Sequence, residues 1–298
     1  MTTKYSQVNT IFTDISLPHV SIEPMLNSGS LWLFDPTHPD VQWPTVDYSG
    51  YNNFPNVALN NAKILTNTTI TSDLNLTDNR ANMDTGRGLV ERTLRGGIHG
   101  IVSNATFPIP AYQFMRANTA LRNYLNTYKD SHKFYFSLWH YITRTTANTQ
   151  LRAIYSLVGQ QNDGNSRILH AMEAHQILPP NTDPAYLGLN TTNLDSVGPS
   201  LRAVGVQHSS NTPIDLNETI IHNVGRSLTY TQNPTSAASQ YTPSSIFYRS
   251  YCEDLTISGR TYAQAYAMDL ALYNKEVLSP GGRYYADTFT NPSAVSAV

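Results

Sequence analysis

The stretch from Phe134 to Ile142 reads Phe-Tyr-Phe-Ser-Leu-Trp-His-Tyr-Ile, and no other segment so narrows what this chain can fold into. Its aromatic and branched side chains, uninterrupted by Pro, Gly or an acid, are strand material. Period-two alternation sets Phe134, Phe136 and Leu138 on one face and Tyr135, Trp139 and Tyr141 on the other. A strand that is apolar on both faces is usually covered on both, so the chain needs a layer on either side of it. Ser30-Leu31-Trp32-Leu33-Phe34, closed by Asp35-Pro36, is a second run of this kind. Further strands are expected at Arg152–Leu157, Arg167–Met172, Ser200–His208, Thr219–Arg226, Ile246–Arg249 and Asp254–Ser258, and the alternation between Ala58 and Asn79 suits hairpin strands. Short strands at regular spacing point to an all-β sandwich or barrel.

One segment breaks the pattern. After Pro108 and Pro110, the stretch Ala111–Lys129 places Tyr112, Met115, Leu121, Leu125 and Tyr128 near helical spacing with no internal Pro or Gly, which predicts an amphipathic helix packed on the sheet. Residues 1–29 mix short apolar pieces with Pro and Gly and read as an extended N-terminal arm. Residues 30–298 contain no fixed-period repeat and no compositionally distinct linker, so they are expected to form one domain. Pro179-Pro180, Pro184 and the run Thr229–Ser245 read as loops.

Composition removes several functions. Charged residues are 13% of the 298, about half the usual share, and 19 basic against 21 acidic residues leave a net charge of −2. Electrostatic binding to nucleic acid or to a membrane surface is therefore not expected. Instead the chain carries 27 Asn, 33 Thr, 26 Ser and 19 Tyr. A single cysteine, Cys252, cannot form an internal disulfide, which favours a reducing site of synthesis. Neither an apolar leader after Met1 nor a long apolar run is present, so neither secretion by the common route nor membrane insertion is expected. Asn-x-Ser/Thr triplets begin at Asn67, Asn75, Asn104, Asn190 and Asn217, the number that this Asn, Ser and Thr content produces by chance.

Three segments, in order, carry a resemblance. Ser30–Asp35 with the loop Asp47-Tyr48-Ser49-Gly50-Tyr51-Asn52-Asn53 resembles the opening strand and following loop of concanavalin A-like, laminin-G-like jelly rolls. Phe134–Ile142 is similar to the aromatic strand that starts the next sheet in that superfamily, and Tyr266–Ser279 to its closing strand and short helical turn. The resemblance implies a jelly-roll β-sandwich with the helix of residues 111–129 as an insertion. It also implies a strand near the C-terminus, although Ala, Met, Leu, Lys and Glu give Tyr262–Leu278 strong helix propensity.

Catalytic patterns are sparse. His170 and His175 stand five apart, which does not put both imidazoles on one helix face. Glu253-Asp254 and the isolated Glu91, Glu173, Glu218 and Glu276 lack the spacing of the glucanases with this fold. No nucleophile elbow, phosphate loop or dinucleotide fingerprint occurs, and Arg92-Thr-Leu-Arg95-Gly96-Gly97 reads as a hairpin turn with solvated arginines. Asp35, Asp40 and Asp47 are loop acids of the sort that hold calcium in such domains, yet making turns is the ordinary work of Asp there, so no metal or other cofactor is assigned. Cys252 reads as a small buried residue. The candidate ligand surface is the face of Tyr135, Trp139 and Tyr141, on which a carbohydrate could stack; the competing reading has the 111–129 helix covering it.

These features lead to the expectation of a non-enzymatic structural or adhesion protein of a virion, a bacteriophage tail or receptor-binding component or a capsid decoration. It would be assembled in host cytoplasm and would contact its own copies, other virion proteins and host surface carbohydrate. A charge-depleted, Tyr- and Asn-rich surface suits such contacts. The alternative is a polysaccharide-binding module or a glycoside-active enzyme.

Overall fold

The computed structural model describes residues 23–43, 53–83, 86–103, 111–145, 154–160, 167–173, 177–178, 187–190, 196–207, 219–225 and 243–295. Their strands form two antiparallel sheets. The first has the spatial order β11 (Gly188–Asn190), β12 (Gly198–Val206), β7 (Phe134–Arg144), β14 (Ser244–Asp254), β5 (Ile98–Val102) and β4 (Gly88–Arg92). β1 (Ser30–Phe34) lies on the same side of β14 as β5, pairing Phe34 with Ser250 where β5 pairs Ile98 with Phe247. The second sheet runs β10 (Ile177–Leu178), β9 (Arg167–Glu173), β8 (Ile154–Gln160), β13 (Thr219–Val224), β6 (Tyr112–Ala117), β3 (Leu76–Ala81) and β2 (Asn53–Phe54). The chain passes repeatedly from one sheet to the other, an arrangement compatible with an all-β sandwich.

β7 lies at the centre of the first sheet and is buried on both faces over most of its length. Phe134, Phe136 and Leu138 join Trp32 and Phe247 in a core shared with Leu76, Met115 and Ile221 of the second sheet. Tyr135 and Trp139 face the other way, into a second core with Tyr248 and Tyr251. The expected alternation holds, and both faces are covered. The cover of the second face is not the 111–129 segment. It is a C-terminal helix, α4 (Tyr262–Tyr273), which turns Ala265, Asp269 and Tyr273 toward the sheet at a repeat of four.

Local chemistry explains where the expected elements change. Ala111–Lys129 divides at Asn118, whose extended backbone separates β6 from α2 (Thr119–Tyr128). Residues 112–117 pair with β3 on one side and β13 on the other, and that pairing overrides helical spacing. Leu121 and Leu125 of α2 then extend the inter-sheet core, on the Phe134 side. Leu59–Thr66, expected as strand, is the helix α1, and Asn67 ends it in the left-handed region at φ 51°. Asp254 closes β14 and accepts from the amides of Thr256 and Ile257, so Leu255–Ser258 is a one-turn helix, α3, not a strand. The segment that resembles a closing strand is α4 itself, opened by a capping box between Thr261 and Gln264. A glycine pair seats it. Gly188 and Gly205 stand opposite each other, and a Cβ at Gly188 would fall 2.0 Å from the Tyr262 ring.

The β4–β5 hairpin turns at Thr93–Gly97 as expected, and Cys252 is buried. Most of the Asp47–Asn53 loop, the prolines 179, 180 and 184, and residues 229–242 lie outside the described residues.

Candidate functional site

The three aromatic residues marked as a carbohydrate surface have different surroundings. Tyr135 donates to Asp269 Oδ2 at 2.8 Å, and the Trp139 indole donates to Asp269 Oδ1 at 2.8 Å. All three residues are 0% exposed. Tyr273 meets the Trp139 ring edge-on at 5.7 Å, and the Arg249 guanidinium lies 4.7 Å from the ring centre. Tyr141 is half-buried against Phe289. The structure thus gives the face at Tyr135 and Trp139 to α4 and not to solvent, because a buried carboxylate on the helix matches the two donors on the strand. Burial pushes the Asp269 carboxyl up, against the charge of Arg249 and hydrogen bonds from Ser137, Tyr135 and Trp139.

Beneath the same layer lies a charge network that joins both ends of the described chain. Arg249, 1% exposed, makes a two-pronged contact with Glu23, Nη2 to Oε1 at 2.8 Å and Nη1 to Oε2 at 3.1 Å. Its Nη1 also stands 3.5 Å from Asp35 Oδ2. Asp35 is held in turn by Arg283 Nη1 at 3.0 Å, by the Tyr284 hydroxyl at 2.8 Å and by the Thr37 amide at 3.0 Å. Burial alone would raise the Glu23 carboxyl, but His38 and the charge and hydrogen bonds of Arg249 outweigh it and hold it far below the carboxylate range. Asp35 is likewise lowered, burial being overcome by Arg283 and Arg249. Two residues on, the Met25 carbonyl accepts from the Tyr251 hydroxyl at 2.9 Å and from Arg260 at 3.1 Å. Residues 23–27 are therefore bound to the outer face of the first sheet by charges and hydrogen bonds that water does not reach.

Other titratable clusters have structural work. His132 Nδ1 and the Tyr124 hydroxyl both meet Asp254 Oδ2, at 2.5 and 2.7 Å, while Oδ1 of that carboxylate caps α3. Glu91 links His99 at 2.9 Å to the amide of Thr290 at 2.8 Å, tying the C-terminal segment to the β4–β5 hairpin. His140 and His222 lie between the sheets, and burial drives both well below the ordinary imidazole range, leaving them neutral at pH 7. Among the described residues, no group of three His, Cys, Asp or Glu is placed to hold a metal ion. Asp35 belongs to the charge network, Asp40 is exposed, and Asp47 and the side chains of His170 and His175 lie outside the described residues.

Sequence reasoning did not find Glu23, Arg249 and Asp269. Arg249 carries a readable signal, since a guanidinium inside Ile246-Phe247-Tyr248-Arg249-Ser250-Tyr251-Cys252 demands a buried acid. Nothing local identifies which acid answers, because Glu23 is 226 positions away. Comparison with family models, with curated proteins and with solved structures finds no match to this chain.

Proposed function

We propose that this chain is a non-enzymatic structural and adhesion protein of a virion, a bacteriophage tail or receptor-binding component, built on a concanavalin A-like jelly roll and working as a multimer. The observation that carries the reading is the buried root of the N-terminal segment. Twenty-two residues precede Glu23 in the sequence, and Glu23 is fixed by a bidentate guanidinium at 2.8 and 3.1 Å. An arm that leaves a rigid root loses less freedom when it docks on a neighbouring subunit, which favours assembly. The antiparallel pairing of β1 with β14, and the passage of the chain back and forth between two sheets, support the jelly-roll assignment. Low charge and abundant Asn, Thr, Ser and Tyr suit subunit and glycan contact, and assembly in a reducing cytoplasm accounts for the lone buried Cys252.

The test is mass in solution. Light scattering behind size exclusion is expected to return a multimer for the full chain and a smaller species when residues 1–22 are deleted. A strict monomer for the full chain at high concentration would overturn the proposal.

A further inference from the structure

A cleft on the edge of the second sheet has the chemistry of a ligand site. β2 is the edge strand, and its pairing sets Phe54 opposite Leu76, both wholly buried in the inter-sheet core. Alternation then turns Asn53 and its diagonal neighbour Asn75 to the opposite face. There the chain forms an open cleft of about 710 Å³, within the range of small-ligand sites, between the Asp40–Gln42 segment and the residues that open α1. Its walls are set by packing. Trp43, next to Gln42, stacks on Phe54 at 4.3 Å, and Asn56 spends its amide on Leu33, Ala58 and Leu31.

The polar lining beyond Asn56 is Asp40, Gln42, Asn53, Asn60 and Asn75, with Val57 and Leu59 among the apolar groups. No Lys, Arg or His lines it. The Oδ1 atoms of Asn53 and Asn75 are buried and have no hydrogen-bond partner. An unmet buried acceptor is costly, by about 1–3 kcal/mol, and invites a donor. A hydroxyl both donates and accepts, so it can satisfy a side-chain amide in either rotation about its last bond. Adjacent hydroxyls on a ring with apolar C–H faces match amides set beside Val57 and Leu59. An anionic ligand finds no cation here and meets Asp40.

We propose that this cleft binds an uncharged saccharide. The proposal deepens the adhesion reading by naming a ligand class. Its test reads binding where the assembly test reads mass, so either can fail alone.

The full chain is screened on an array pairing neutral oligosaccharides with their uronic-acid and sialylated counterparts. Binding to neutral members is expected, weakened about tenfold by Asn53→Ala or Asn75→Ala, since each deletes one hydrogen bond to the ligand. Asn60→Arg, at an exposed position on the cleft rim, adds bulk and charge without touching the core and is expected to abolish binding with the melting temperature unchanged. Trp139→Ala is expected to leave the affinity of the folded fraction intact. Failure to bind any neutral saccharide, preference for the acidic ones, or full binding by folded Asn60→Arg would each overturn the assignment.

Discussion

Replacing Arg249 with Met tests whether the buried network holds the start of the described chain. Met keeps most of the volume against Trp139 and removes the charge. Glu23, 6% exposed at its side chain, is then left with His38 at 3.5 Å and the Met25 amide at 3.0 Å. Breaking a buried pair by removing one partner costs about 3–5 kcal/mol, which in a chain of this size is a fall of about 6–10 °C in Tm. Glu23→Gln alone should cost less, because Arg249 keeps Asp35 at 3.5 Å. The double variant strands no charge, so a double-mutant cycle by urea unfolding should show about 2–3 kcal/mol of coupling. The pH dependence has a definite sign. Both Glu23 and Asp35 are lowered, so their stabilisation is complete above the unfolded carboxylate range and lost only as pH falls through the depressed folded values. The coupling should thus be the same at pH 7 and pH 5. A coupling below about 0.5 kcal/mol, or one that vanishes by pH 5, would refute the reasoning.

Asp269→Ala should destabilise by about 2–5 kcal/mol in urea unfolding, because the Tyr135 and Trp139 donors lose their acceptor, and Asp269→Asn should cost distinctly less by keeping one oxygen. The raised folded pKa makes the Asp269 contribution greatest below the unfolded carboxylate range and smaller as pH rises through the raised value; a stability slope unchanged in Asp269→Asn would count against it. Cys252 is wholly buried and its thiol is pushed up by burial and by Asp254 and Glu253, so native protein should resist iodoacetamide at pH 8 while unfolded protein reacts fully; prompt stoichiometric labelling of the native chain would contradict this.

The residues that pack were more legible than those that pair. Ser30–Phe34 and Phe134–Ile142 could be read as strands covered on both faces because burial on a sheet is written in consecutive side chains. The boundaries that failed were decided by single capping groups or by distant partners. Thr261-Tyr-Ala-Gln264 is a capping-box signature lying just before α4, and with the propensity of Ala, Met and Leu it outweighs a resemblance to a closing strand. Asn118 ends a strand that exists only because β3 and β13 flank it. Tyr135 and Trp139 look like a ligand platform in sequence because an aromatic ring with a polar handle serves a sugar or a buried carboxylate equally well. Asp269, 130 positions from Trp139, decides between them, and no local pattern announces it.

The sparse charge of the chain takes on meaning from where the charges stand. Among the described residues Asp35, Asp78, Lys129, Arg202, Arg249, Glu253, Asp254 and Asp269 are all buried. In most proteins such side chains cover the surface and only rarely enter the core. Here a supply already half of normal is further drawn inward, where acids and guanidinia fasten the first sheet to the segments at both ends of the described chain. The exterior is left to hydroxyls, amides and phenols. Such a surface repels its own copies weakly, since little net charge opposes contact, and it meets ligands through hydrogen bonds that salt does not screen. Burial of the ions and neutrality of the edge cleft are thus two sides of one distribution. The charges that could have excluded a sugar hydroxyl, or kept subunits apart, are used inside to hold the fold together.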